Sequence, residues 1–247
     1  MVERAGDFFS VGDFGQVNGK MADRGAGLRR GVRRRSRTVF EVQSEVSGRI
    51  RVIEDHVERR LVVGGEILSV YPLDGDWTRV QKEYWWHALA AVKLPSRPTA
   101  LLVGLGGGTQ VHLLRHLVRP RRITAIEHDP AILRVARHWF GLGKLGGIEF
   151  LCAEAEIAVQ GLAASGRRFD FIMEDAAYAE EPERALPLAQ ALAGCVAPTG
   201  ALVLNRHRRS DAGPLTEAMR ARFAQVRVRR VKREGENVLV ICTRARG

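Results

Sequence analysis

Cysteine is scarce in this chain. Cys152, Cys195 and Cys242 stand singly in apolar segments, with no CxxC spacing to hold a metal or prepare a disulfide. They read as reduced, buried small hydrophobes, and no metal site is expected. Long apolar runs are missing too: nothing approaches the ~20 residues a membrane-spanning helix needs, so no membrane role is expected. The opening residues, MVERAGDFFSVGDFG, lack the apolar centre of a secretory signal, which makes the cytoplasm the expected location. Aromatic residues are 6% of the chain, and none are interleaved with the basic clusters in the manner of a base-stacking surface. Acidic residues are in deficit, 28 against 39 lysines and arginines, for a formal charge of +11. The excess gathers in RRGVRRRSR (Arg29 to Arg37), RHRR (Arg206 to Arg209) and RVRRVKR (Arg227 to Arg233). Such charge can steer an anionic partner. Arginine decorates ordinary helices here as well, so a compositional bias is the better reading and specific nucleic-acid binding is not expected.

What is present is enough for one full domain and an appendage: 247 residues, 45% of them hydrophobic. Residues 1–36 are rich in Gly, Arg and Asp without a sustained period, and are expected to form a flexible basic tail. From Thr38 the pattern changes. TVFEVQS, GRIRVIEDH, RRLVVGG and EILSVYP are short β-favouring runs broken by Ser-Gly, charged and Gly-Gly punctuation, which predicts a small antiparallel β unit over 37–78. DWTRVQKEYWWHALAAVKL then predicts one helix ending before Pro95. It opens a nucleotide-binding domain over 79–247.

From Thr99 the rhythm alternates. ALLVGL, RITAIE, IEFLCA, FDFIMED and ALVLNR are apolar strand candidates, each followed by a helical or loop segment. Helices are expected to start near Thr109, Pro130, Glu154, Glu181 and Pro214. Continuous apolar strands alternating with helices imply a parallel sheet covered on both faces. QVRVRRV and NVLVICTR are separated only by KREGE, too short for a parallel crossover, so they should close as an antiparallel hairpin. The expected fold is therefore α/β, with a doubly wound, seven-stranded, mostly parallel sheet ending in that hairpin and preceded by the β unit.

The stretch LLVGLGGGTQ sets Gly104, Gly106, Gly107 and Gly108 where the first parallel strand turns into its helix. In such sheets ligands bind beyond the carboxyl ends of the strands. Missing Cβ atoms let a ligand rest on the backbone. No GK[ST] follows, which excludes a P-loop, and Thr109 stands where a dinucleotide fingerprint needs its third glycine. The next strand ends in AIEHDP, with Glu127 and His128 at its tip. Glu127 lies at about the offset at which an acidic residue bonds ribose hydroxyls, a need shared by NAD and by adenosyl-sulfonium cofactors. The third strand ends at Glu154, placed to accept from an adenine amino group, and the fourth at Asp175. An acidic residue after each of three successive strands, with a terminal antiparallel hairpin, matches the class I S-adenosylmethionine-type transferases better than a dehydrogenase.

LLVGLGGGTQ, ITAIEHDPAILRVARHWFG, FDFIMEDA, ALVLNRH and ENVLVIC together resemble the spermidine synthase family over roughly Gly48 to Thr243. VVGGEILSVYPLDGDW is similar to the family's substrate-facing hairpin, and Tyr84 to the tyrosine opening the following helix. The resemblance implies aminopropyl transfer from decarboxylated S-adenosylmethionine to putrescine, within polyamine biosynthesis, and a β unit through which relatives form homodimers. It also breaks in places. The family's D-x-x-D pair reads Asp175-Ala176-Ala177-Tyr178, losing the aspartate that usually serves as base. GGGDGG reads Gly104-Leu105-Gly106-Gly107-Gly108-Thr109, and the following Arg-Glu is His112-Leu113. Glu180, Glu181 and Glu183 could anchor an amine, though acidic residues at a helix start explain them equally. A cofactor half retained and a diamine half eroded favour S-adenosylmethionine and methyl transfer to another small-molecule acceptor. Asp175 then faces the reacting centre and Tyr178 orients the nucleophile; a true aminopropyltransferase, or a non-catalytic module binding adenosine ligands or nucleic acid, are the alternatives. His112 and His207 could serve as bases, and Trp77 as a substrate wall, but core and solvated roles suit them better.

Overall fold

A computed structural model describes residues 8–10, 36–176, 182–207, 209–232 and 236–246. Strand β1 (Phe8–Ser10) pairs antiparallel with β6 (Lys93–Pro95), while residues 1–7 and 11–35 lie outside the described residues. Strands β2 (Arg37–Ser44), β3 (Glycine-led Gly48–Glu54), β4 (Glu58–Val63) and β5 (Glu66–Pro72) form an antiparallel sheet in sequence order. Its connections are short polar or glycine turns, as the punctuation requires.

The single helix expected over DWTRVQKEYWWHALAAVKL is split. A 3-10 turn (Trp77–Lys82) capped by Asp76 gives way at Glu83, which is extended, before α1 (Tyr84–Ala90). The break redirects the chain so that Tyr84 and Trp85 meet the end of a central strand; amphipathic periodicity cannot report it, because both halves bury apolar residues.

The large sheet contains β7 (Thr99–Val103), β8 (Arg122–Glu127), β9 (Ile148–Cys152), β10 (Phe169–Glu174), β11 (Val196–Arg206), β12 (Phe223–Lys232) and β13 (Glu236–Ala245). Their spatial order is β12-β13-β11-β10-β7-β8-β9, parallel from β11 to β9 and antiparallel through the β12–β13 hairpin. This is the expected doubly wound sheet, with its switch point beside β7. The helices are α2 (Thr109–Leu117), α3 (Pro130–Trp139), α4 (Ala155–Ala164), α5 (Pro182–Ala193) and α6 (Arg209–Arg220). Helix α6 starts five residues before the expected Pro214 and carries that proline inside it.

One face of the sheet packs under α4, α5 and α6 through Val159, Leu188, Leu192 and Leu215. The other packs under α1 and α2 through Leu89, Val111 and Leu114. The four-stranded sheet rests on α3, where Ile50, Val52 and Leu61 meet Ile132, Val135 and Phe140. Cys195 and Cys242 are buried, but Cys152 is exposed, a correction to its reading as core: it ends the edge strand β9, where only one neighbour covers it. Among the described residues no helix is long and apolar enough to cross a membrane, and no cluster of His, Cys, Asp and Glu could hold a metal.

Candidate functional site

At the carboxyl edge of the parallel strands β7 gives way to Gly104, and the close approach that excludes side chains there comes from the chain itself. Gly104 has φ +85°, and a Cβ on it would lie 2.5 Å from the carbonyl oxygen of Asp175. A Cβ on Gly107 would meet Ser69 at 2.9 Å and the Phe140 ring at 3.0 Å; one on Gly108 would meet Leu142 at 2.5 Å. Every amide from Gly104 to Gly108 is also used internally. Gly104 donates to Ile126 O at 3.0 Å and Gly108 to Leu105 O at 2.9 Å. Leu105 and Gly106 donate to Glu127 Oε2 at 3.2 and 3.3 Å, and Gly107 donates to Ser69 Oγ at 2.7 Å. Thr109 completes the latch to β5, its Oγ1 donating to Val70 O and accepting from Val70 N–H, both at 2.9 Å. Gly104→Ala should cost about 2–3 kcal/mol, since a left-handed alanine and a backbone overlap add. Gly75→Ala, also at positive φ but with nothing within 4 Å, should cost clearly less by chemical denaturation.

Glu127, at the end of β8, is 6% exposed. Besides the loop amides it accepts from Asp129 N–H at 3.0 Å and lies 3.4 Å from His128 Nδ1. That hydrogen bond to Glu127 raises the His128 pKa above its ordinary 6.5. The contribution to stability is therefore complete below pH 6.5 and is lost as pH rises through the higher folded value. Unfolding free energies measured from pH 6 to 9 should fall across that window, and His128→Gln should flatten the fall. Asp129 caps α3 through Ala131 N–H at 2.7 Å and accepts from Ser44 Oγ at 2.6 Å, joining the crevice to the small sheet. Glu154, before α4, meets Arg184 at 3.1 Å, and Arg184 also meets Glu156 at 2.8 Å.

Asp175 follows β10. Its Oδ2 accepts from Tyr84 Oη and its Oδ1 from Asn205 Nδ2, each at 2.7 Å. Burial pushes the Asp175 carboxyl up, against the pull of Asn205, Tyr84 and the nearby His207. Burial and the adjacent Asp175 charge hold the Tyr84 phenol well above its usual range. The neighbouring Glu174 points to the opposite face of the sheet. There it pairs with Arg206, and its Oε1 accepts from Ala176 N–H at 3.0 Å. Asn205 Oδ1 and both amide atoms of Gln110, in the first turn of α2, are buried without a hydrogen-bond partner.

The structure thus gathers Gly104 to Gly108, Glu127, His128, Glu154 and Asp175 along one edge. Tyr178, with Glu180 and Glu181, lies outside the described residues, and Glu183 sits in α5. His112 and Trp77 serve packing: Trp77 stacks on His112 at 5.7 Å, Tyr71 closes at 4.8 Å, and His112 Nε2 meets Phe140 O at 2.9 Å. Sequence reasoning missed Ser69 and Asn205 as parts of the site, and Arg206 as the brace of Glu174 on the opposite face. An apolar run that ends in Asn-Arg is too ordinary a signal to have found the last two.

The architecture is an α/β methyltransferase-like fold, with a small antiparallel sheet before the doubly wound one. Among solved structures the chain is similar to a spermidine synthase crystallised with the transition-state analogue AdoDATO, with a TM-score of 0.63 and 16% identity over 84% of this chain and 74% of that one. It is also similar to a probable spermidine synthase from Corynebacterium glutamicum, with a TM-score of 0.64 and 19% identity over 83% and 79%. Identities this low speak for the fold. No protein-family model matches. Over 78 residues the chain is 36% identical to the eEF1A lysine and N-terminal methyltransferase of Danio rerio, a stretch covering 31% of this chain and 11% of that protein.

Proposed function

We propose that this chain is an S-adenosylmethionine-dependent transferase that moves a methyl group to a small-molecule acceptor. The observation that carries this reading is the carboxylate edge itself: Glu127, Glu154 and Asp175 follow three parallel strands around a glycine loop whose amides are all committed. A pyrophosphate needs free N–H donors or cations at that loop, and an acidic rim repels it. An adenosine bearing a sulfonium suits the same edge. Its hydroxyls and amino group are donors and its charge is positive.

Bound there, the cofactor would supply an electrophilic carbon activated by its own sulfonium. The rest falls to the chain. Glu127 accepts from the ribose hydroxyls; its bonds to Leu105 and Gly106 are long enough to be shared. His128 lies beside it at the crevice edge. Glu154 receives the adenine amino group, exchanging part of its contact with Arg184. Asp175 faces the transferred group, fixed by Tyr84 and Asn205 so that alignment needs no further ordering. Tyr178 orients the nucleophile. The orphaned Asn205 Oδ1 and Gln110 amide offer further polar contacts behind the loop.

Aminopropyl transfer from decarboxylated S-adenosylmethionine is the second reading. It is favoured by the extent of the likeness to spermidine synthases, which covers 84% and 83% of this chain. The loss of the second aspartate after β10 weighs against it. Calorimetry with each cofactor form decides: tighter binding of S-adenosylmethionine is expected, while preference for the decarboxylated form with turnover of putrescine would reverse the order. Binding of neither would end both readings.

A further inference from the structure

Away from the carboxyl edge, the small sheet and α3 enclose a groove of about 550 Å³. Its walls are Phe40 and Val42 of β2 on one side, and Val135 and Trp139 of α3 on the other. Phe40 and Trp139 lie 5.3 Å apart ring to ring, and the Arg59 guanidinium lies over the Trp139 ring at 5.7 Å. The apolar surface is thus fixed, yet Phe40, Val42 and Trp139 remain only half-buried.

Two further features give the groove a direction. Strand β2 is the outer strand of its sheet and carries no partner on its free side among the described residues. An irregularity between Thr38 and Phe40 confines the regular pairing run to Phe40–Ser44, alongside the groove. A free edge presents backbone donors and acceptors ready to receive another strand. The rim is cationic as well. Arg134, Arg137 and His138 are exposed along it, and none is in an ion pair among the described residues. The one acid of β2, Glu41, points to the other face, where both its oxygens are bonded to Arg49.

We infer that this groove is a docking surface for an extended acidic peptide of a partner protein. The peptide adds as a fifth strand to β2, rests the bulky apolar side chains of one face against the Phe40, Val42 and Trp139 surface, and brings carboxylates at its ends against Arg134 and Arg137. An apolar floor and strand-edge hydrogen bonds suit a peptide. A nucleic acid would need free aromatic faces to stack on, whereas the Trp139 ring is already in contact with Phe40 and Arg59. The surface is separate from the proposed transferase site, so the two stand or fall independently.

The test is fluorescence anisotropy on the full chain with a labelled ten-residue peptide whose central six residues alternate Thr with Phe or Leu and whose two residues at each end are Asp. A counterpart with Lys for Asp, a counterpart N-methylated on alternate residues, and a ten-nucleotide oligothymidylate serve as controls. The acidic peptide is expected to bind in preference to the lysine peptide. Reversing both exposed arginines, Arg134→Glu with Arg137→Glu, should weaken it by about tenfold or more and turn the preference toward the lysine peptide. Methylation of the alternate amides facing β2 should abolish binding with the protein untouched. Equal binding of the acidic and lysine peptides, no effect of methylation, or an equal loss of oligothymidylate affinity in the double variant would overturn the inference.

Discussion

Replacing Arg206 with methionine should lower the unfolding free energy by about 3–5 kcal/mol, the usual cost of stranding one partner of a buried ion pair. Arg206 and Glu174 have side-chain exposures of 0% and 1%, so Glu174 would be left buried with neither water nor a counter-ion. The double change Arg206→Met with Glu174→Leu should recover much of the loss, because an apolar pair of similar volume needs no solvation. Denaturant titrations of the three proteins measure this; a single-variant cost under about 1 kcal/mol would mean that the pair is wetter than its surroundings indicate. The consequence reaches the site, since Glu174 Oε1 also holds Ala176 N–H, and the Asp175–Ala176 backbone is the seat of Gly104.

Glu127→Ala should have two effects at once. Leu105, Gly106 and Asp129 lose the acceptor of their amides, and buried donors left unmade cost about 1–3 kcal/mol each. Partial wetting of the crevice offsets some of this, so a net loss of about 3–4 kcal/mol is expected in denaturation. In calorimetry the affinity for S-adenosylmethionine should fall by more than about a hundredfold, or ~2.7 kcal/mol. Glu127→Gln keeps one acceptor oxygen and should separate the effects, with most of the stability retained and most of the affinity gone. Full affinity in a folded Glu127→Gln protein would remove Glu127 from the ligand site and leave it as a loop brace.

The two roles of Glu127 also mark how far a sequence can be read. Its position at the end of an apolar run, with AIEHDP following, is a local fact, and the strand tip could be placed from it. That its carboxylate props the preceding loop depends on β7 and β8 lying side by side, which no local pattern encodes. Asp175 behaves likewise. The strand end was legible in FDFIMED, whereas the donors that hold it arrive from Tyr84, on a helix 91 residues earlier, and Asn205, 30 residues later. Tyr84 was singled out through a family resemblance and Asn205 not at all, because a polar residue ending an apolar run is ordinary. The break at Glu83 and the exposure of Cys152 escaped for the same reason: both follow from what packs alongside.

By itself, then, the sequence determined the alternation of apolar strands and helices, the closing hairpin, and the acidic strand tips, since each is written in the period and punctuation of contiguous residues. Only the tertiary structure decided what the glycines are for. Side chains are excluded at Gly104 and Gly107 by Asp175 and Ser69, residues 71 positions ahead and 38 behind, and the loop amides are consumed before any ligand arrives. Steric exclusion is a property of what is near in space, and chain separation carries no record of it.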